Sequence, residues 1–360
     1  MIASDNLRTW TEIDLSAIRH NLAAVREKIG PEAGIIAVVK ADAYGHGATK
    51  IAETIAREVE LFGVASIEEA TELSGLGRKI LLLSPSAPGE RRMAVERRFI
   101  ATVSSAAEAE AFAGGAINFK VDTGMGRIGC WQEDSLEELR AIVRLGNVGV
   151  HSISTHLPVA DEDADYTLAQ LARFGQLARQ FRSIVPLAKI HVLNSAGILE
   201  FPGHAYDLVR PGLMLYGSAY PEKFQPLLRP ALTWKARVLL VRSVGPNRGV
   251  SYGRTFITHR PMRIAALAVG YADGFPRQAS GRGAQVLVGG RRCSVLGRVT
   301  MDQLLVDVTA VPGVEAGDEA VLIGRQGDQE ILARELAELA GTISWDIFTG
   351  IGPRAQRSYF

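Results

Sequence analysis

The chain has 360 residues, with 40 basic and 39 acidic side chains, a formal net charge of +1, 47% hydrophobic and 22% charged residues. That is ordinary for a globular protein of about two domains; it offers no basic tract for nucleic acid and no apolar run of membrane-spanning length. The two cysteines, Cys130 and Cys293, make neither a disulfide framework nor a four-cysteine metal site and fit a reducing cytoplasm, and the first residues lack the basic and apolar regions of a signal peptide.

From the N-terminus to about residue 220, short apolar runs alternate with segments of helical spacing. The runs are GIIAVV (34–39), LFGVAS (61–66), KILLLS (79–84), FIATVS (99–104), INFKVD (117–122), VGVHSIST (148–155), KIHVLN (189–194) and DLVRPGLMLYG (207–217). Helical spacing falls between them, as at 51–59, 133–144 and 166–184. This alternation predicts parallel strands with crossover helices. Eight such strands predict an α/β fold with a closed (β/α)8 TIM-type barrel over residues 1–229 rather than an open doubly wound sheet. Composition changes near Pro230, where strand-like runs joined by turns predict a mostly-β domain over 230–360. Gly289-Gly290 reads as a tight hairpin turn, and one amphipathic helix is expected at 331–340. The extreme N-terminal strand can pair with that second domain.

Lys40 ends the first apolar run, where the strand is expected to break into a glycine-rich loop. An ammonium beside apolar side chains loses solvation and its pKa falls, and a fixed neutral amine can form a Schiff base with a carbonyl cofactor. A lysine that snorkels to solvent from a strand end is the commoner case. Other polar residues fall at successive strand ends, where a barrel carries its function: Tyr44 after the first strand, Asp122 and Arg127 after the fifth, His156 after the sixth, Asn194 and Ser195 after the seventh, and Arg210 in the eighth.

Several motifs have competing readings. Asp122-Thr123-Gly124 looks like an aspartic-protease triplet, but that chemistry needs two carboxylates sharing a proton and no second copy is present. Gly124, Gly126 and Gly129 match a dinucleotide fingerprint, yet no acidic residue ends the next strand to hold a ribose. The neutral reading is a tight loop that projects Arg127. Asp161, Glu162, Asp163 and Asp165 after His156 suggest a metal, but they suit the start of the next helix better, so no metal is expected. NSAG at 194–197 and Gly212 offer backbone amides for a phosphate, or ordinary turns.

The motifs VKADAYGHGA, KVDTGMGRIG, NSAG, VRPGLMLYG, VSYGRTF, VGYADGFPR and GRVTMDQ, in this order over nearly the whole chain, resemble the alanine racemase family, pyridoxal phosphate-dependent barrel enzymes. The resemblance implies a cytoplasmic homodimer that interconverts L- and D-alanine, with active sites at the interface. Lys40 would be the Schiff-base lysine and one catalytic base, and Tyr252 from the other subunit the opposing base. Arg210 would face the cofactor's pyridine nitrogen, and His156 would sit between Arg210 and Tyr252. Tyr44, Ser195, Gly212 and Leu213 would surround the phosphate. Arg127 would reach the substrate carboxylate, Tyr271 and Met301 from the other subunit would close the mouth, and Asp302 would join the substrate-binding residues. Lys120 matches a lysine that the family often carries as a carbamate bracing Arg127. One departure is Trp345, which stands in the phosphate region where the family usually has tyrosine; indole has a single N–H donor and more bulk. Another is Pro158, which stiffens the loop after His156. A broader racemase that also takes serine, a non-catalytic pyridoxal phosphate carrier and a nicotinamide dehydrogenase are the competing readings. The second domain and Tyr252 count against the carrier.

Overall fold

Strands that are apolar on both faces pair edge to edge until the sheet closes on itself. In the computed structural model, which describes residues 7–360, this produces two compact units. One comprises Ala17–Ala43 and Gly47–Arg229; the other comprises the described residues through Ser16, Tyr44–His46 and Pro230–Phe360.

The first unit is a closed barrel of eight parallel strands. β1 (Thr9–Ile13) belongs to the other unit, so the barrel starts at β2 (Gly34–Val38). It continues through β3 (Leu61–Val64), β4 (Lys79–Leu82), β5 (Ile100–Val103) and β6 (Ala116–Asp122). A short β7 (Cys130–Trp131) pairs with the end of β6. Then come β8 (Gly149–Ser154), β9 (Lys189–His191) and β10 (Leu208–Val209), and β10 pairs with β2 to close the ring. Ile36, Leu61, Leu81, Ile100 and Leu208 form one buried cluster drawn from five of these strands. Along β6 the side chains alternate in direction. Phe119 meets Phe181 of the helix Ala164–Ile184 edge-on, so Lys120, its neighbour in sequence, turns to the barrel interior, as do Asn118 and Asp122.

Two expected elements differ. The final run, 207–217, is a strand only at Leu208–Val209 and then tightens into a 3₁₀ turn at Leu213–Tyr216. Pro211 has no N–H for a ladder, so Arg210 stands just past the strand rather than within it. Lys40 opens not a loop but a helical turn, Lys40–Gly45, in which Ala41, Asp42, Ala43 and Tyr44 have φ of 51°, 53°, 53° and 53°. This is left-handed backbone, disfavoured by about 1–2 kcal/mol per non-glycine residue.

The second unit is built on β11 (Leu232–Val244), whose first half pairs with β1 on one edge and Glu319–Gln326 on the other and whose second half pairs with Met262–Leu267. β1 also pairs in parallel with Gln356–Tyr359. Gln285–Val288 and Arg291–Ser294 form a hairpin whose turn residues Gly289 and Gly290 both have positive φ, as a two-residue primed turn requires. The helix Ala333–Ala340 lies at the expected place. No helix among the described residues is long and apolar enough to cross a membrane.

Candidate active site

The barrel gathers the polar residues of its strand ends into a cationic cluster. Lys120 and Arg210 are buried, and each lowers the pKa of neighbouring groups. Burial, then Arg210 and Arg127, hold the Lys120 amine well below the usual lysine range, opposed by Asp122. Burial and then Arg127 lower Lys40, while Glu69 raises it. Burial brings the Arg210 guanidinium down to about 10, which leaves it charged at neutral pH.

Arg210 is fixed by acceptors and not by a carboxylate. Its Nη1 donates to His191 Nδ1 at 2.5 Å, and its Nη2 donates to the carbonyls of Thr155 and Val192, each at 2.7 Å. A longer contact of 3.4 Å runs from Nη2 to His156 Nδ1. A guanidinium has five N–H groups and no acceptor, so the Nε–H and one Nη1–H are left without a partner among the described residues. Arginine can only donate, so Nδ1 of His191 is the acceptor and that ring's proton sits on Nε2. Burial and the surrounding cations hold His156 and His191 well below the usual imidazole range, and both are neutral.

Arg127 is projected by a loop that Asp122 organises. One oxygen of Asp122 accepts from the amides of Gly124 and Met125 at 2.8 Å each, and the other accepts from the amide of Arg127 at 3.1 Å. At Gly129, with φ of 123°, a Cβ would lie 2.8 Å from the Asp122 nitrogen, so the return of the loop needs glycine. The triplet and the glycine pattern are thus loop architecture. Of the acidic run after His156, Asp163 caps the next helix by accepting from Tyr166 N. The described residues contain no group of three or more side chains suited to a metal.

Ser195 opens the helix Ser195–Glu200 at the end of β9, and its hydroxyl accepts from the amides of Gly212 at 2.9 Å and Met214 at 3.2 Å. Asn194 caps the same helix through Gly197 N. Ser195, Gly212 and Leu213 are therefore brought together around the 3₁₀ turn.

The remaining expected residues lie in the second unit. The Trp345 indole N–H is hydrogen-bonded to the Tyr44 phenol. Burial pushes this phenol up to about 12, with the indole opposing the rise. The segment with Tyr271 runs against the one with Met301 and Asp302: Tyr271 N donates to Thr300 O and Ala272 N to Met301 O, each at 3.0 Å. A Cβ at Gly270 would run into the carbonyls of Thr300 and Met301. Arg354 pairs with Asp302 at 2.8 Å and with buried Asp273 at 3.4 Å, tying the two segments together. Tyr252 sits in a strained turn, with Ser251 at φ 62° and Arg254 at φ 49°, and is 70% exposed. Met301 and Tyr271 are also exposed.

Sequence reasoning overlooked His191 and Glu69. His191 was visible only as a lone polar residue in an apolar strand, and its partner Arg210 lies 19 positions away. Glu69 sits in a helix start of the form S-x-x-E, which by itself signals a cap and nothing more.

Sequence comparison matches residues 13–220 to the N-terminal domain of alanine racemase and 231–359 to its C-terminal domain. An alanine racemase of Symbiobacterium thermophilum is 43% identical, covering 99% of this chain and 98% of the relative. One of Halothermothrix orenii is 40% identical, covering 98% and 96%. Among solved structures, alanine racemase from the D-cycloserine producer Streptomyces lavendulae superposes with a TM-score of 0.91 at 37% identity over 98% of this chain and 97% of the other. The Bacillus anthracis enzyme, solved with bound L-Ala-P, gives 0.89 at 33% identity over 98% and 95%.

Proposed function

The chain belongs to the alanine racemase family, and from that premise we propose that it interconverts L- and D-alanine on pyridoxal phosphate by a two-base route, with Lys40 on one face and Tyr252 of the partner subunit on the other. The observation that carries the reading is the excess of basic over acidic groups in the barrel. Lys40, Lys120, Arg127 and Arg210 influence one another electrostatically, and Asp122 and Glu69 are the carboxylates that oppose them. A phosphate and a substrate carboxylate would supply the missing negative charge. One of the guanidinium N–H groups of Arg210 without a partner among the described residues fits the lone pair of a ring nitrogen, and Ser195 with the amides near Leu213 fits a phosphate.

Pyridoxal phosphate, when bound, supplies a carbonyl for the amine and a conjugated ring that takes up the electron pair of the Cα–H bond. The protein's residues direct the rest. Lys40, with its pKa lowered, is available as a neutral amine to take or return the α-proton on its face. Tyr252 of the partner subunit does the same on the opposite face, since one rigid base cannot serve both. His156 presents Nε2–H toward that phenol with the Arg210 charge behind it, which favours phenolate. Arg210 does not readily give up a proton, so it would hold a bound ring nitrogen as an acceptor without protonating it, which would disfavour transamination. Arg127 orients the substrate carboxylate; Tyr44, hydrogen-bonded to Trp345, joins Ser195, Gly212 and Leu213 on the phosphate; Tyr271, Met301 and Asp302 limit the substrate's size. Lys120 becomes a carbamate by adding carbon dioxide and releasing a proton. This would turn a buried neutral amine into an anion that braces Arg127. The enantiomers are isoenergetic in water, so the enzyme serves D-alanine supply for peptidoglycan or D-alanine catabolism according to which enantiomer is drained.

The test is spectroscopic and chiral. Protein loaded with pyridoxal phosphate should be yellow, and borohydride should bleach it while fixing the cofactor mass on the peptide with Lys40. Lys40→Ala should lose both the colour and the conversion of L-alanine. Fixation at another lysine would overturn the assignment. Equal rates on L-serine and L-alanine would replace alanine preference with the broader activity that Trp345 allows.

A further inference from the structure

The left-handed turn that follows Lys40 needs an external restraint. Four successive non-glycine residues in this conformation persist only where the surroundings over-determine them. Asp42 supplies part of the restraint: its side chain accepts from Ala48 N at 2.7 Å and its carbonyl from Gly47 N at 2.9 Å, which fixes the exit of the turn. The entry is held by a residue from another element. We propose that Glu69 is a positioning residue for Lys40: one carboxylate oxygen takes the N–H of Ala41, the residue after the lysine, and the other takes the N–H of Ala65 at the end of β3, both at 2.7 Å. This rests on the reading of Lys40 as the cofactor lysine.

The chain contains its own comparison. The helix Ile67–Leu73 is capped by Ser66, which accepts from Glu69 N, and the helix Ala106–Glu110 is capped by Ser105, which accepts from Glu108 N. In both, the glutamate also reaches back to the amide before the cap: Ala65 for Glu69, and Ser104 for Glu108, each at 2.7 Å. Local helix capping thus accounts for one oxygen of each carboxylate. Only Glu69 has a second bond to a distant segment, 28 residues away. Through its two bonds Glu69 links the residue after β3, Ala65, to the turn leaving β2, beyond the last ladder pair, Val38 with Gly63. Glu69 also places a negative charge near the amine, counter to Arg127 on the loop after β6; His156, after β8, also interacts with Lys40.

Three variants of the holoenzyme test this. Glu69→Ala removes both bonds; Glu69→Gln loses the charge and one acceptor, since its single oxygen can serve Ala41 or Ala65 but not both; and Glu108→Gln alters the matching cap away from Lys40. Amide exchange at Ala41 should be at least about tenfold faster in Glu69→Ala and unchanged in Glu108→Gln. Glu69→Gln should move the acid limb of the kcat profile to lower pH, because an amine without its counter-charge is protonated only in more acidic solution. Equal Ala41 exchange in Glu69→Ala and Glu108→Gln, or an unmoved acid limb in Glu69→Gln, overturns the proposal. Loss of colour and turnover in the parent protein would remove the functional reading alone, since the exchange experiment needs neither.

Discussion

Replacing Asp122 separates loop architecture from chemistry at the arginine that the loop carries. The carboxylate accepts three amides, from Gly124, Met125 and Arg127, and the residue is 3% exposed. Asp122→Asn keeps the oxygen shared by Gly124 and Met125 but turns an NH2 group toward the Arg127 N–H. Asp122→Ala removes both acceptor oxygens and with them all three bonds. The loop's amides can regain water, so each bond is taken at about 1 kcal/mol. That gives about 1 kcal/mol for the asparagine variant and about 3 kcal/mol for alanine, or about 5-fold and over 100-fold in local opening. Amide exchange across 123–129 reads this directly, and initial rates against alanine concentration show the effect on KM as Arg127 loses its place. Exchange in both variants within twofold of the parent would refute the assignment of Asp122 as the organiser of the loop.

Other perturbations bear on other parts of the site. Tyr252→Phe should slow proton removal from L-alanine more than from D-alanine, measured as the primary deuterium isotope effect in each direction; full activity both ways would reject the two-base scheme. Trp345→Phe removes the indole donor to Tyr44 and should weaken pyridoxal phosphate binding about 2- to 10-fold, the worth of one neutral hydrogen bond; Trp345→Tyr should recover part of that in an equilibrium titration. His151, which burial and nearby lysines hold at about 4, binds more protons unfolded than folded. Its share of stability is whole above the unfolded value near 6.5 and is lost as pH falls toward 4, on the order of 2 kcal/mol after solvent screening. Thermal melts of His151→Gln should lose part of that acid sensitivity.

The barrel was legible because its strands, covered on both faces, read as continuous apolar runs. The candidate site was legible as polar residues at or just after strand ends, Lys40, Arg127, His156 and Ser195 among them. What the chain did not announce depends on long-range geometry. No propensity distinguishes four left-handed residues from the glycine-rich loop expected after Lys40, because Ala41 to Tyr44 are held by Asp42 and Glu69 rather than by their own preferences. His191 carried no local signal, since its role is to receive Arg210. The last barrel strand shrank to two residues because Pro211 ends the ladder, whereas hydrophobicity continues through 213–216 in a 3₁₀ turn. Trp345 was recognisable as a departure, but its bond to Tyr44 was visible only once both side chains were placed.

The most direct measurement follows enantiomerically pure L-alanine with the cofactor-loaded protein in heavy water, reading handedness and Cα deuterium together. Two bases that exchange protons with solvent predict an approach to equal D- and L-alanine, with deuterium accumulating in the newly formed enantiomer. Alanine that stays L, or inverts while retaining its original hydrogen throughout, would contradict the account.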